Sequence, residues 1–333
     1  MKSILLTSTA LVAFAGAAVA GGHTSVSLSG EASAEYNSET GFTTSTEITA
    51  TGSAQLDNGL TASASLTFEA DDDGNGTFDA GSVSLSSDTA NITFGYGLDG
   101  AIYSVLEDEY LGADEETVNG VTAYAMFGSS TLYVSAPVAD DTSTDALEFG
   151  LSTDLGGWSV GVAANGAGDA AAMASGTVAG ADINLGFSTD DEYDFGVSYP
   201  VGPVTLGVST DESEEYTVNV DYAAGAISAG LEYVTDETWE ISLGYAEGGV
   251  AVDASINDAE EVVLGATYDV GNGLVVGAGL EADESTYAFA EYDLGGGASA
   301  YMDWTDSAAE LEEVGPSERD IAAGTTVGIS FEF

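Results

Sequence analysis

From Val26 to the last residue the sequence alternates apolar and polar side chains with a period of two, again and again. Val26, Leu28, Gly30, Ala32, Ala34 and Tyr36 fall on one face of an extended chain, and Ser27, Ser29, Glu31, Ser33 and Glu35 on the other. Leu60, Ala62, Ala64, Leu66 and Phe68 alternate in the same way with Thr61, Ser63, Ser65, Thr67 and Glu69. The pattern returns at Ile92 to Leu98, Tyr216 to Tyr222 and Val262 to Tyr268. A side-chain period of two is that of a β-strand, and no segment has comparable apolar spacing for a helix. The chain is therefore all-β.

Turn signals divide the strands and fall into two alternating sets. One set is short and small: Asp57-Asn58-Gly59, Ser129-Ser130, Gly156-Gly157, Val201-Gly202, Ala224-Gly225, Gly248-Gly249, Gly271-Asn272-Gly273 and Gly295-Gly296-Gly297. Such sequences supply the positive φ of tight hairpins. The other set is acidic: Asp71 to Asp73, Asp140-Asp141, Asp190 to Glu192, Asp211 to Glu215, Asp236-Glu237, Asp258 to Glu261 and Asp283-Glu284. Because the sets take turns along the chain, they belong to opposite ends of the strands. One rim is short and neutral, and the other is longer and anionic. Arms of about nine residues match a tilted membrane strand.

A soluble sheet would close its apolar face against a second apolar layer. Here the second face is Ser, Thr, Gly and acid, so lipid outside and water inside satisfy both faces. The expectation is a closed antiparallel up-and-down transmembrane β-barrel. Counting hairpins gives up to 22 strands. The alanine-rich arm Ala170 to Ala179 is weak, which leaves 16 to 20 open.

The first twenty residues stand apart. Lys2, the apolar run from Ile4 to Val12 with Phe14, and Ala18-Val19-Ala20 form a secretory signal pattern with cleavage near Gly21. The division is thus a signal peptide over 1–20 and a barrel domain over 21–333. With 57 Asp and Glu against two Lys and Arg, the net charge is −55. Loss of Lys2 leaves Arg319 as the one base. A phosphate backbone demands Lys and Arg, so nucleic acid is excluded as a partner. The chain has no cysteine and one histidine, His23, so no Ser-His-Asp or Cys-His arrangement can be assembled. An enzyme is not expected.

Two local patterns carry site expectations. Asp71, Asp73, Asn75, Gly76 and Asp79 follow a D-x-D-x-N-G-x-x-D spacing, which places hard oxygen ligands at alternate positions for Ca²⁺. Ser82 stands where a bidentate Glu belongs, and an ordinary acidic loop is the alternative. No cofactor is required; Ca²⁺ is the one candidate. The terminal strand Val327, Ile329, Phe331 and Phe333, alternating with Gly328, Ser330 and Glu332, closes on an aromatic. Phe331 and Phe333 are the candidate assembly signal of an outer-membrane barrel.

Beyond these features, the chain resembles the general porins of alphaproteobacteria. The resemblance rests on Val26-Ser27-Leu28-Ser29-Gly30, Asp72-Asp73-Gly74, the terminal Gly328 to Phe333, and Gly97-Leu98-Asp99-Gly100-Ala101. The last stretch matches in part the family's G-N-x-D-x-A motif, with Gly97 where the family has Asn. In that family the motif leads into a third loop that folds inward and narrows the pore. The resemblance therefore makes Ile102 to Gly120 the inner loop, with Asp99, Glu107, Asp108, Glu109, Asp114, Glu115 and Glu116 at the constriction. It also implies a homotrimer of 16-stranded barrels in the outer membrane of a Gram-negative bacterium. The family's basic wall cluster has no counterpart here.

The function read from these features is passive diffusion of small hydrophilic solutes and ions through a water-filled anionic channel. Glu31, Glu35, Glu47 and Glu69 line the lumen and favour cations. Outer-membrane lipid is the surrounding partner, bridged to the acidic rim by divalent cations. The rival reading is a Ca²⁺-loaded structural or adhesive surface protein that does not conduct.

Overall fold

The computed structural model describes residues 24–71, 76–106, 117–137, 147–213, 215–235, 238–282, 285–306, 311–314 and 319–333. The first strands are β1 Thr24–Asn37, β2 Gly41–Gln55, β3 Thr61–Asp71, β4 Gly76–Ser86 and β5 Ala90–Asp99. A single helical turn, α1 Tyr103–Leu106, comes before β6 Thr117–Phe127. Then follow β7 Ser130–Pro137, β8 Glu148–Leu155, β9 Trp158–Asn165, β10 Ala170–Val178, β11 Ala181–Ser188, β12 Tyr193–Val201 and β13 Val204–Asp211. The repeat continues with β14 Tyr216–Ala224, β15 Ile227–Val234, β16 Trp239–Glu247, β17 Val250–Asn257, β18 Val262–Gly271 and β19 Leu274–Leu280. The chain ends with β20 Thr286–Gly295, β21 Ala298–Thr305, β22 Leu311–Val314, β23 Arg319–Ile321 and β24 Gly324–Glu332.

Each strand pairs antiparallel with its neighbour in sequence up to β21, which pairs with β24; β24 then pairs with β1 and closes a 22-stranded barrel. Strands β22 and β23 form a separate two-stranded sheet. The count is the upper end of the sequence expectation, and exceeds the sixteen that the resemblance implies. The weak arm at Ala170 is a full strand, β10, whose partners Val162, Phe187 and Leu185 supply the apolar bulk it lacks.

Closure explains why an alternating sequence chooses this fold. In hydrocarbon every backbone N–H and C=O needs a partner within the protein, and a closed ring has no unpaired edge. The register keeps one parity outside: Phe94, Leu243 and Ile329 expose 53%, 57% and 56% of their surface, which faces lipid. At the tight-turn end Tyr199, Tyr222, Tyr245 and Tyr268 recur every 23 residues on the outer face. Tyr193, Tyr216 and Trp239 do the same at the loop end. Two aromatic girdles therefore bracket the apolar band.

Ten short turns, from β2–β3 to β20–β21 at every second connection, lie at the end that also holds Thr24 and Phe333. Gly248 (φ 65°) and Gly249 (φ 83°) show why these positions are glycine, since a two-residue primed turn needs positive φ at both centres. The acidic segments fall at the other rim. The inner parity carries the hydroxyls and carboxylates. Fully buried side chains gather on this inner side in two places: around α1, and on the wall formed by β20, β21 and β24.

Candidate functional site

The third connection of the loop rim starts after β5 and turns inward at once. A bulge between Gly95 and Leu98 breaks the ladder, and Gly97 takes a φ of 66°. The Gly97 N–H donates to Asn119 Oδ1 at 3.0 Å, which pins the strand to β6 as it leaves the wall. Asp99 ends β5, and the chain then packs Ala101, Ile102, Val105 and Leu106 against the inner face of β8, β9 and β10. Leu106 is completely buried.

Small residues make this seat. A Cβ on Gly150 would sit 2.6 Å from the Ala101 carbonyl and from Val105 Cγ2. One on Gly161 would sit 2.9 Å from Val105 Cγ1. Ala163 and Ala171 fill the next positions and are themselves buried. A polar clasp holds the entrance of the helical turn. The Ala101 N–H donates to Ser135 Oγ at 3.0 Å, and the Ser135 hydroxyl donates to Glu148 Oε2 at 2.6 Å. The Ile102 N–H donates to the same carboxylate oxygen at 3.3 Å. Glu148 thus places negative charge where the first N–H groups of the turn need an acceptor. Beside the seat a recess of about 420 Å³ is lined by Asn91, Thr93, Asp99, Ser104, Tyr124 and Tyr133.

The expected pore-lining acids take a definite arrangement. Glu31, Glu47 and Glu69 are direct partners across β1, β2 and β3, and Glu332 on β24 faces Glu31. They form one transverse row of like charge on the inner parity. Glu35 sits four residues along, where it accepts from Thr43 Oγ1 at 3.0 Å and from the Tyr301 hydroxyl at 3.1 Å. Asp221, Glu232, Glu240 and Asp253 share the inner face and are exposed to the lumen. Serine and threonine pairs fill the rungs between acids, as in Thr49 with Thr67 at 2.8 Å and Ser63 with Ser84 at 2.7 Å.

Of the expected constriction residues, Asp99 stands at the loop root. Glu107, Asp108, Glu109, Asp114, Glu115 and Glu116 lie outside the described residues. The inner loop is shorter than the sequence expectation of Ile102 to Gly120, because Thr117 already starts β6. Of the expected calcium ligands, Asp73 and Asn75 lie outside the described residues, while Asp71 ends β3 and Asp79 belongs to β4. Phe333 exchanges both backbone hydrogen bonds with Gly30 at 3.0 Å, so the terminal aromatic closes the ring, and its side chain stacks on Phe331 at 5.6 Å. The expectation missed Glu148, Ser135 and the lumenal pair Tyr124 and Tyr133. A run of small residues at inner positions of adjacent strands, Gly150, Gly161, Ala163 and Ala171, was the available signal.

A closed barrel with an apolar exterior, two aromatic girdles, a polar interior and a loop folded onto its inner wall is a transmembrane channel of the outer-membrane kind. The Gram-negative porin family model matches residues 7–287, and the chain belongs to that family. No curated protein matches it. Among solved structures it is similar to a mutant of the Rhodopseudomonas blastica porin, at 15% identity over 92% of this chain and 100% of that one, with a TM-score of 0.35. It is also similar to OmpT of Vibrio cholerae in a trimer form, at 12% identity over 93% of this chain and 100% of that one, TM-score 0.35. The protein is an outer-membrane porin of a Gram-negative bacterium.

Proposed function

We propose that the porin is a cation-preferring channel for small hydrophilic solutes and ions. The observation that carries the reading is the row Glu332, Glu31, Glu47 and Glu69 on the inner parity of four adjacent strands. Two Lys and Arg in the whole sequence cannot balance 57 acids, so the field in the lumen has one sign. Carboxylate rings attract cations and repel anions at short range, and salt screens the effect over about 10 Å at 0.1 M. Asp99 stands at the root of the inner loop, whose sequence adds only acids, Glu107, Asp108, Glu109, Asp114, Glu115 and Glu116, and no base.

The porin assembles as a homotrimer, as the resemblance to the general porins implies. Divalent cations bridge its acidic rim to lipid phosphates, because Arg319, the one base beyond Lys2, cannot supply Arg–phosphate pairing around a whole rim. The 71–79 segment, from the end of β3 into β4, is the candidate for a resident Ca²⁺. The test is the reversal potential of the reconstituted porin under a salt gradient at low ionic strength. A potential of the cation-selective sign supports the reading. Anion preference or none overturns it.

A further inference from the structure

The inner wall is covered in a second place. Asp303 and Thr305 on β21 are each 1% exposed, Thr326 on β24 is 5% exposed and Tyr301 is 6% exposed. All four belong to the inner parity by register. Inner residues of β14 to β17, such as Asp221 and Asp253, stand open to the lumen. A barrel this wide gives no reason for such a contrast, because an inner side chain meets water unless chain covers it. The segment between β21 and β24 is the neighbouring chain. It forms the small sheet β22–β23, with Leu311 opposite Ile321 and Val314 opposite Arg319, and β23 runs against β21. Its return is tied to the inner wall: Asn37 Nδ2 donates to the Ala323 carbonyl at 3.1 Å and to Thr326 Oγ1 at 2.9 Å.

The ring of strands shows where this cover sits. α1 packs on β8, β9 and β10. In a closed ring of twenty-two, β21 lies twelve strands from β9 one way and ten the other, close to half the circumference away. We infer that the β22–β23 hairpin is a second pore-narrowing element, facing the inner loop from the opposite wall. The inference rests on the channel reading above and deepens it. Two elements on opposite walls narrow the lumen from both sides. Strands β22 and β23 carry Glu312, Glu313 and Asp320 against Arg319, so by sequence they are net acidic, as the inner loop is. It sets the size limit of the channel and leaves the sign of its selectivity unchanged.

The test compares the full chain with a variant in which residues 309–321 are replaced by Gly-Ser-Gly, both reconstituted in planar bilayers. Single-channel conductance should rise by half or more, and the exclusion limit for polyethylene glycols should move to larger polymers. Cation preference should persist. Equal conductance and an equal exclusion limit overturn the inference. A second measurement covers the case in which the shortened variant does not fold. Thr305→Cys and Asp253→Cys are made separately in the full chain, which has no native cysteine. Thiol labelling by a small water-soluble reagent should be at least tenfold slower at 305 than at 253. Equal labelling rates show that the wall at β21 is open, and the second narrowing element does not exist. A full chain that labels as expected but does not conduct sinks the channel reading and leaves the placement of the hairpin standing.

Discussion

Glu148→Ala removes the clasp that holds the inner loop on its seat while leaving the barrel wall intact. The carboxylate accepts from the Ser135 hydroxyl and the Ile102 N–H, and Ser135 in turn accepts from Ala101. Ser135 is fully buried, so its hydroxyl has no water to turn to. Hydrogen bonds to a charged group contribute about 1.5–3 kcal/mol, and a stranded buried donor costs about 1–3 kcal/mol. Taken together, with part of the loss recovered by relaxation, the seat should weaken by about 2–3 kcal/mol. At 1.4 kcal/mol per tenfold, the fraction of molecules with the loop lifted should grow roughly 30- to 150-fold. Glu148→Gln keeps an acceptor and loses only the charge assistance, about 1 kcal/mol or roughly fivefold. The assay is thiol labelling of Ala171→Cys, a seat residue that is 3% exposed beneath α1. Both variants are made in that background, so any strain from the added sulfur is common to all three proteins. Labelling rates should rank Ala above Gln above the parent, with no change in barrel melting. Unchanged labelling in Glu148→Ala would show that apolar packing of Ile102, Val105 and Leu106 holds the loop unaided.

Three further outcomes follow from the same structure. Leu243 is the middle residue of the nine in β16 and faces lipid, so Leu243→Arg should destabilise the barrel by about 2–4 kcal/mol in a denaturant titration, whereas Ser242→Arg on the inner face should cost far less. Glu47 stands between Glu31 and Glu69. Relieving two opposed like charges at about 0.2–1 kcal/mol each should make Glu47→Gln slightly more stable at low salt while lowering cation preference, and the stability gain should shrink as salt is added. Removal of divalent cations by a chelator should raise proteolysis of the acidic rim loops and leave the β signal in circular dichroism unchanged, because the wall satisfies its own hydrogen bonds; loss of the β signal would instead mark a cation-folded surface protein.

The wall was legible because barrel closure leaves a period-two signature in every strand. Val26 to Tyr36 and Tyr216 to Tyr222 could be assigned to outer and inner faces from sequence alone, and the register puts them there. The alternation of small and acidic turns gave the two rims for the same reason. Strand number stayed open because the outer positions Ala170, Ala172, Ala174 and Gly176 of β10 are all small, and the apolar bulk beside them comes from Val162, Leu185 and Phe187 on neighbouring strands. The inner furnishings were hidden for a different reason. Glu148 and Ser135 read as two more polar residues on a polar face, and only the fold brings them to Ala101 and Ile102. Asp303 and Thr305 read as two more polar residues on a polar face, and the proposed cover, Leu311 to Ile321, holds Gly315-Pro316 and four acids and has no strand pattern of its own.

The measurement that bears most directly on the account is single-channel recording of the reconstituted porin in a planar bilayer, with a tenfold KCl gradient at low ionic strength. A porin with a one-sign acidic lumen must conduct in discrete steps and reverse at a potential of the K⁺-selective sign, with a preference that weakens as total salt rises. Discrete steps that reverse at zero or at the Cl⁻-selective sign contradict the assignment of Glu31, Glu47, Glu69 and Glu332 to the lumen field.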